Sequence, residues 1–462
     1  MSEDASAQSL LRQLFSIPLE DNRHLVYAPL KRLAFIANGA LVNRLYDLTV
    51  RTADELKAET VPSELRFLAD LDFFTPASLP DDDLPGNQTR YDAVILFLTN
   101  QCNLQCTYCY ARAGEYESRS MPWEIAQAGI DHVLREMDRN GATHFTLGFH
   151  GGGEPTMNWP VLTRAVAYTR QETDRRGWGL SVSGSFNGYW SETVRRTIID
   201  TFTDLSLSFD GLPEIQSRQR PARGNEGSAE RVIDTLRALD EAEMPYGIRM
   251  TVTRQSVDRL PESIEFICRH FRPRTIQVEP VFPQGRAMDE AIIDRPERFI
   301  EAFIDSYDLA AAAEINLFYS GARLEALTRR FCLAPTRALV LTPEGDVTTC
   351  FEIYSRRHPH CERFFVGQYQ PDAGFVIDEE KLHRHFARTV DRLPYCEACF
   401  CKWHCAGDCA AKTFAEDNGG FQSSERCRIN CELTKYLLLK RIQESPGSIW
   451  LGTSIQPEES HE

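Results

Sequence analysis

The chain has 462 residues, of which 51 are Lys or Arg and 67 are Asp or Glu, so its formal net charge is −16 at pH 7. This acidic balance argues against a nucleic-acid binder, because such proteins usually carry a basic face. No apolar run approaches the roughly 18 residues that a membrane helix needs, and the polar first ten residues do not resemble a signal peptide. The sequence therefore predicts a cytoplasmic protein with neither a nucleic-acid nor a membrane partner.

Residues 1–90 predict a small α+β module. Strand-like segments cover His24–Tyr27 and Leu33–Ile36, and helical patterns follow at Ala53–Ala58 and Pro62–Leu71. The segment Thr75–Thr89 is rich in Pro, Asp and Gly, and such a cluster does not hold a regular element. It therefore marks a boundary between this module and the rest of the chain.

Residues 91–330 alternate strands with helices, which predicts a parallel sheet with right-handed crossovers. The predicted strands are Ala93–Leu98, His144–Phe149, Leu180–Val182, Leu205–Phe209, Tyr246–Val252 and Thr275–Val278. The predicted helices are Glu124–Arg139, Val161–Arg176, Ser191–Asp200, Ser228–Ala242 and Pro261–Phe271. Six strands fit a partial (β/α)6 barrel, an α/β fold in which chemistry lies at the C-terminal ends of the strands.

Fourteen cysteines are the main compositional feature of the chain, and ten of them fall between residues 332 and 431. In a cytoplasmic protein of this size such clustering indicates metal ligands, whereas disulfide scaffolds are typical of short secreted chains. The strand–helix alternation stops at this point, and only short strands are predicted, at Leu339–Leu341 and Val347–Thr349. Residues 331–462 therefore predict a cysteine-rich domain organised around metal.

The first cysteine group is Cys102-x3-Cys106-x2-Cys109, directly after the first barrel strand. Three thiolates on one loop can hold three irons of a [4Fe–4S] cluster and leave the fourth iron open. The spacing, with an aromatic residue before the third cysteine, resembles the radical S-adenosylmethionine (SAM) superfamily. The resemblance implies an enzyme that cleaves SAM reductively to a 5′-deoxyadenosyl radical. A zinc loop is the alternative, although zinc loops usually pair cysteines as C-x2-C.

Other segments resemble the same family at the expected strand ends. The resemblance implies that SAM is bound by Tyr108, Gly152, Gly153, Glu154, Ser208, Arg220 and Val252. Arg suits the carboxylate of SAM because its guanidinium can bind in a bidentate manner. Alternatives stay open: Arg218 rivals Arg220, Val252 is as readily a core residue, and Asn187-Gly188 is either a family motif or a plain turn.

The second cysteine group has the spacing Cys396-x2-Cys399-x5-Cys405-x3-Cys409-x17-Cys427, and Cys332 and Gly345-x4-Cys350 lie upstream. This pattern resembles the SPASM domain of radical SAM peptide and protein maturases. The resemblance implies two auxiliary [4Fe–4S] clusters, hence three clusters in all. It gives cluster II to Cys396, Cys399, Cys405 and Cys427, and cluster I to Cys332, Cys350 and Cys409. A pair of structural zinc sites is the alternative.

Cluster I lacks a fourth cysteine in this scheme. Either one iron stays open, or Cys361, Cys401 or Cys431 completes the set. Cys268 lies in a predicted helix, where an apolar packing role is expected. Anaerobic sulfatase maturases have an Asp directly after the second upstream cysteine, but here Phe351 holds that place and Glu352 follows, a weak candidate for the catalytic base.

SPASM-type enzymes mostly modify ribosomally made peptides, so we expect a maturase that forms a C–C or thioether crosslink between side chains of a precursor peptide. Residues 1–90 would then bind a leader peptide at a sheet edge, although a structural cap is an equal alternative. A flavodoxin or ferredoxin is the expected one-electron reductant. Formylglycine formation or another SPASM-type modification is the first alternative, and a zinc-binding or electron-transfer protein without SAM chemistry is the second.

Overall fold

The computed structural model describes residues 13–49, 63–71, 73–74, 77–80, 91–415 and 420–452. The predicted helix at Ala53–Ala58 and most of the predicted linker lie outside these ranges. No helix among the described residues is long and apolar enough to cross a membrane.

The first sheet is antiparallel and alternates its side chains between two cores. It begins with β1 (Phe15–Pro18), β2 (Arg23–Ala28) and β3 (Leu33–Asn38), and a helix at Gly39–Thr49 follows. Val26 and Phe35 pack in a small core with this helix, whereas Tyr27 belongs to the main core of the molecule. Successive side chains of a strand point to opposite faces of the sheet. One face therefore packs in the small core, and the other packs against the barrel.

Seven parallel strands form the barrel, one more than the sequence predicts. They are β4 (Ala93–Leu96), β5 (His144–Phe149), β6 (Gly179–Phe186), β7 (Asp204–Ser208), β8 (Tyr246–Val252), β9 (Thr275–Pro280) and β10 (Asn316–Phe318). Helices along them cover Trp123–Asn140, Trp159–Arg176, Glu192–Thr201, Pro213–Gln219, Ala229–Glu241, Leu260–His270 and Pro296–Ala312. The six predicted strands and five predicted helices are all present, and β10 was missed.

The barrel sheet continues on its other side into the cysteine-rich region. Strand β11 (Ala338–Leu341) runs parallel to β4, and β12 (Asp346–Thr348), β13 (Phe365–Gln370) and β14 (Gly374–Ile377) extend it in antiparallel order. Among the described residues, eleven strands thus form one sheet. The short strands predicted after Cys332 exist, but the sequence did not predict that they would join the barrel.

The remaining elements are short, apart from one long helix. Helices cover Arg66–Asp70, Ala334–Arg337, Cys361–Phe364, Glu379–Phe386, Lys402–Cys405, Ala410–Thr413 and Arg426–Glu444. Strands β15 (Phe414–Ala415) and β16 (Gly420–Phe421) pair with each other. Strand β17 (Ile449–Leu451) pairs with β3 and so completes the first sheet.

Alternating positions of the barrel strands separate the core from the barrel interior. On β8, Ile248 and Met250 are buried in the main core, while Arg249 and Thr251, which directly follow them, are partly exposed. Since successive side chains point to opposite faces, Arg249 and Thr251 face the interior. The same alternation places Ser208 of β7 on the interior side.

A buried hydrogen bond joins the first sheet to the cysteine-rich region. His404 Nδ1 lies 2.9 Å from the Arg323 carbonyl and 3.0 Å from the Ala326 carbonyl, so this nitrogen carries the proton. His404 Nε2 is then the acceptor for the hydroxyl of Tyr27, which is 0% exposed. Burial lowers the pKa of His404 to about 4, which keeps the ring neutral.

Tyr27→Phe should destabilise the fold because it leaves His404 Nε2 buried without a partner. We expect a loss of about 1–3 kcal/mol, measured as a lower urea midpoint of the anaerobic protein. Tyr116→Phe is the control, since the Tyr116 ring is 37% exposed. Equal midpoints for Tyr27→Phe and the control would contradict a stabilising bond at this position.

Candidate functional site

The loop after β4 carries the cysteines of the first predicted cluster, Cys102, Cys106 and Cys109. A second loop, after the helix Pro213–Gln219, holds it in place. The Gln105 N–H donates to the Pro221 carbonyl at 2.7 Å, and the Thr107 N–H donates to the Gln219 carbonyl at 2.8 Å. The three thiols pack into one small apolar cluster. They therefore lie together at the C-terminal mouth of the barrel.

Tyr108 lies between a carboxylate and a guanidinium. Its hydroxyl donates to Asp210 Oδ2 at 2.7 Å and accepts a hydrogen bond of 2.8 Å from Arg220. Burial raises the pKa of the Cys106 thiol to about 11, and the nearby Arg220 charge opposes this rise. Arg220 Nε is buried with no hydrogen-bond partner among the described residues. An unpaired cationic donor beside the thiols fits the carboxylate of SAM.

The glycine-rich segment after β5 lies directly against the cysteine loop. A Cβ atom at Gly153 would lie 2.1 Å from the Gln101 carbonyl oxygen, so no larger residue fits there. Gly152 precedes it with a φ of +78°. The missing side chains therefore let this segment pack directly against the backbone of the cysteine loop.

Glu154 is engaged by the protein itself. It is 2% exposed, and its carboxylate accepts the Asn187 N–H at 2.9 Å and the Trp190 Nε1–H at 3.1 Å. The Asn187 amide lies 3.6 Å from the sulfur of Cys102. Glu154 and Asn187 thus hold the loops after β5 and β6 against the cysteine loop. Asn187-Gly188 therefore does more than form a turn.

Two of the predicted SAM contacts lie on opposite faces of the sheet. Ser208 ends β7 on the interior face, beside Arg249. Val252 is 2% exposed and belongs to the main core, on the same face as Met250. The structure thus places Val252 in the core, and its contact with adenine stays a prediction.

Gly285 and Arg286 clamp the cysteine loop from the far side of the barrel mouth. The Arg286 N–H donates to the Cys109 carbonyl at 3.0 Å, and its guanidinium donates to the carbonyls of Cys106 at 3.1 Å and Ala113 at 2.6 Å. Gly285 has a φ of +64°, and a Cβ there would lie 2.3 Å from the Cys109 oxygen.

Gly285→Ala should displace the cysteine loop, because the added methyl group meets the backbone of Cys109 and Tyr110 in that loop. We expect the reconstituted protein to lose about four irons per chain, measured by iron and sulfide analysis. Gly177→Ala is the matched control: its φ of +68° is equally strained, but nothing lies within 4 Å of the added Cβ. Full iron content in Gly285→Ala would show that the loop does not need this clamp.

A family model described as the radical SAM superfamily matches residues 96–267, which contain the cysteine loop and strands β5 to β8. This part of the chain is a radical SAM domain. The family implies one [4Fe–4S] cluster and SAM as cofactors, and the three thiols and the unpaired Arg220 Nε fit them.

Curated relatives cover parts of the chain. Protein MJ0907 of Methanocaldococcus jannaschii is 28% identical over 177 residues, which is 38% of this chain and 57% of that protein. The sporulation killing factor maturation protein SkfB of Bacillus subtilis is 22% identical over 257 residues, 55% of this chain and 59% of SkfB. The serine-type anaerobic sulfatase-maturating enzyme of Klebsiella aerogenes is 20% identical, covering 69% of this chain and 79% of that enzyme. The matched part of the chain thus spans less than two thirds of the length of MJ0907 and of SkfB.

Solved structures share the fold. The structure of anSMEcpe with bound AdoMet matches 76% of this chain and 94% of its own, with a TM-score of 0.63 and 16% identity. That of Streptococcus suis SuiB bound to S-adenosylmethionine matches 93% of this chain and 99% of its own, with a TM-score of 0.51 and 14% identity. These similarities show that the chain shares the fold of these two proteins.

Beyond the radical SAM core, the cysteines predicted for cluster II lie close together. Burial raises the pKa of the Cys396 thiol to about 12, and charges on Cys405, Cys399 and Cys427 act in the same direction. Such mutual effects require short distances between the thiols.

Two further cysteines lie in the same place. Among the described residues, one group of three potential metal ligands falls within 4.8 Å, namely Cys399, Cys401 and Cys431. From the sequence, Cys401 and Cys431 were candidates for the fourth ligand of cluster I. In the structure both lie against Cys399. The reason is local: Cys401 is two residues from Cys399, and Cys431 lies about one helical turn after Cys427.

The cysteines predicted for cluster I separate into a neighbouring pair, Cys350 and Cys409, and the exposed Cys332. Burial raises the pKa of Cys350 well above its ordinary value, and a charge on Cys409 raises it further, so these two are neighbours. Cys332 is exposed. Cys361 packs into the same small apolar cluster as Cys350, so of the three possible fourth ligands it is the one that the structure brings to this site.

Glu352 lies between this cysteine pair and the barrel interior. Its N–H donates to the Cys350 sulfur at 3.4 Å, and Lys412 Nζ lies 3.2 Å from Glu352 Oε1. Burial raises the pKa of Glu352, but Lys412 and Arg249 lower it, and the net pKa is below the ordinary value. Glu352 Oε2 is buried with no partner among the described residues. A carboxylate with one paired and one unpaired oxygen is suited to accept a proton.

An aromatic surface lies beside Glu352. His150, directly after β5, stacks on Phe351 with 4.9 Å between the ring centroids. The centroids of the His150 and Phe97 rings are 5.8 Å apart. Burial lowers the pKa of His150 to about 3, so this ring is neutral at pH 7. Phe351, which stands where sulfatase maturases have an Asp, is therefore part of a neutral wall.

Sequence reasoning missed the charged residues that dock the cysteine-rich region on the barrel. Arg426 Nε lies 2.9 Å from Asp408 Oδ2, and its terminal nitrogens lie 3.4 Å from Glu279 Oε2. All three side chains are less than a tenth exposed. The available signal was the acidic residue between Cys405 and Cys409, but nothing in the sequence links it to β9.

Proposed function

We propose that this radical SAM enzyme is a maturase that forms a crosslink between side chains of a ribosomally made precursor peptide. The observation that carries the proposal is the docking of the cysteine-rich region at the barrel mouth. Lys412 and Glu352 bring Cys350 and Cys409 to the same interior that Arg249 lines. The maturation role in the name of SkfB and the fold shared with SuiB along nearly the whole chain are consistent with it.

Three [4Fe–4S] clusters belong to this proposal. The SAM-binding cluster is assigned to Cys102, Cys106 and Cys109, cluster I to Cys332, Cys350 and Cys409 with Cys361 as the favoured fourth ligand, and cluster II to Cys396, Cys399, Cys405 and Cys427. When bound, the clusters supply the electron that cleaves SAM to a 5′-deoxyadenosyl radical and an acceptor for the electron that the product releases.

The protein residues orient the reactants in this scheme. Arg220 binds the carboxylate of SAM, Gly152 and Gly153 contact its amine, and Ser208 faces the ribose from the interior. Tyr108 packs against SAM while Asp210 fixes its hydroxyl. A flavodoxin or ferredoxin is proposed as the electron donor.

The first sheet is the proposed binding site for the leader of the peptide. In the order β1-β2-β3-β17, β1 is one of the two edge strands among the described residues. An extended peptide can add to such a strand by main-chain hydrogen bonds. Under this proposal, residues 1–90 form a recognition module, residues 91–330 form the radical SAM core and residues 331–462 form the auxiliary cluster region.

The test of the function is anaerobic reconstitution followed by turnover. We expect about twelve irons per chain and 5′-deoxyadenosine release with SAM and dithionite. Co-expression with short reading frames beside the gene should give a peptide lighter by two hydrogens, with two side chains linked in tandem mass spectra. An aldehyde that reacts with a hydrazide would instead support formylglycine formation, the activity class of the Klebsiella relative. About four irons with zinc in the remaining sites would overturn the auxiliary clusters.

Glu352→Gln should separate radical formation from product formation. The amide keeps the shape of the side chain but does not accept a proton, so we expect crosslinked product to fall by about 10²-fold or more, while 5′-deoxyadenosine release continues. Glu344→Gln, at an exposed turn position, is the matched control. Unchanged product yield in Glu352→Gln would remove Glu352 from the catalytic scheme.

A further inference from the structure

The cysteine-rich region holds more thiols than cluster II needs. Four cysteines have the spacing assigned to that cluster, and one [4Fe–4S] cluster accepts four thiolates. Cys401 and Cys431 are outside this spacing, yet both lie against Cys399. Their role is not explained by the proposed ligand set.

The three sulfur atoms are in direct contact. Cys399 Sγ lies 3.3 Å from Cys401 Sγ and 3.8 Å from Cys431 Sγ, and the latter two sulfurs are 3.3 Å apart. Cys401 is 1% exposed, and Cys431 is partly buried. All three distances are within hydrogen-bonding range for sulfur, and a thiol can donate to a neighbouring thiolate.

The backbone fixes both side chains beside Cys399. Cys401 directly precedes the short helix Lys402–Cys405, and Cys431 is part of the long helix Arg426–Glu444. Cys427 lies on that same long helix, about one turn before Cys431. A cluster bound at Cys399 and Cys427 would therefore keep the same helix face, and with it Cys431, in place.

We propose that the thiols of Cys401 and Cys431 donate S–H···S hydrogen bonds to the sulfur of Cys399 and thereby raise the reduction potential of cluster II. This inference rests on the assignment of Cys399 to that cluster. A thiol is a weak donor and a bound thiolate sulfur is an acceptor. Reduction adds negative charge to the cluster, so donors to its sulfurs stabilise the reduced form more than the oxidised form. Cys401 and Cys431 are thus positioning residues that act through Cys399.

The test compares Cys401→Ala, Cys431→Ala and the double variant with the wild type in the reconstituted full chain. Iron content and the midpoint potential of each cluster are measured by anaerobic potentiometric titration with EPR detection. We expect about twelve irons in every variant and a lower potential for a single cluster, with the largest shift in the double variant. Cys401→Ser should recover part of the shift because its hydroxyl also donates. Cys268→Ala, on the helix Leu260–His270, should leave all potentials unchanged.

Three results would overturn the inference. Loss of about four irons in Cys401→Ala or Cys431→Ala would make these residues ligands. Zinc in the wild type that disappears in the double variant would indicate a mononuclear thiolate site, in which sulfurs lie about 3.8 Å apart around the metal. Full iron content with unshifted potentials would show that the two thiols do not tune the potential of cluster II. If the wild type itself binds only about four irons, the proposed auxiliary clusters fail, and that result is distinguishable from the other three.

Discussion

A buried guanidinium joins the barrel to the cysteine-rich end of the chain. Arg426 contacts Glu279 at the end of β9 and Asp408 between two predicted cluster ligands. Burying three charges costs several kcal/mol per ion unless they are paired, and here the pKa values of both carboxylates stay below their ordinary values despite burial. The positions of both auxiliary cysteine groups relative to the radical SAM core depend on this pairing, because Asp408 lies directly beside Cys409.

The barrel could be predicted from the sequence because its signals are local. Helices such as Trp159–Arg176 and strands such as β5 carry complete periodic patterns, and their bounds differ from the prediction by two residues or fewer. The three-residue strand β10 carries too few positions for a pattern. Strand β11 was predicted, but its pairing with β4 was not, because a short apolar run does not encode a partner far away in the chain.

The site also contains features with local sequence signals and features that depend on long-range contacts. The spacing of Cys102, Cys106 and Cys109 predicts their gathering because all three lie on one loop. The pairing of Lys412 with Glu352 depends on tertiary structure, and periodicity gives no access to it. The sequence analysis considered Cys431 only for cluster I, although it follows Cys427 by four residues, and on a helix this spacing places two side chains on one face.

The pairing of β17 with β3 has a consequence for the order of biosynthesis. The ribosome makes β1, β2 and β3 early, yet the strand that borders β3 emerges only after the barrel and all the cysteines. Closing so long a loop adds only a logarithmic entropy cost, so the late pairing is thermodynamically accessible. The first sheet therefore stays incomplete, with one edge of β3 unpaired, until residues 449–451 have been synthesised. Metal loading that occurs before this point would take place while the cysteine-rich region is not yet connected to the first sheet by β17.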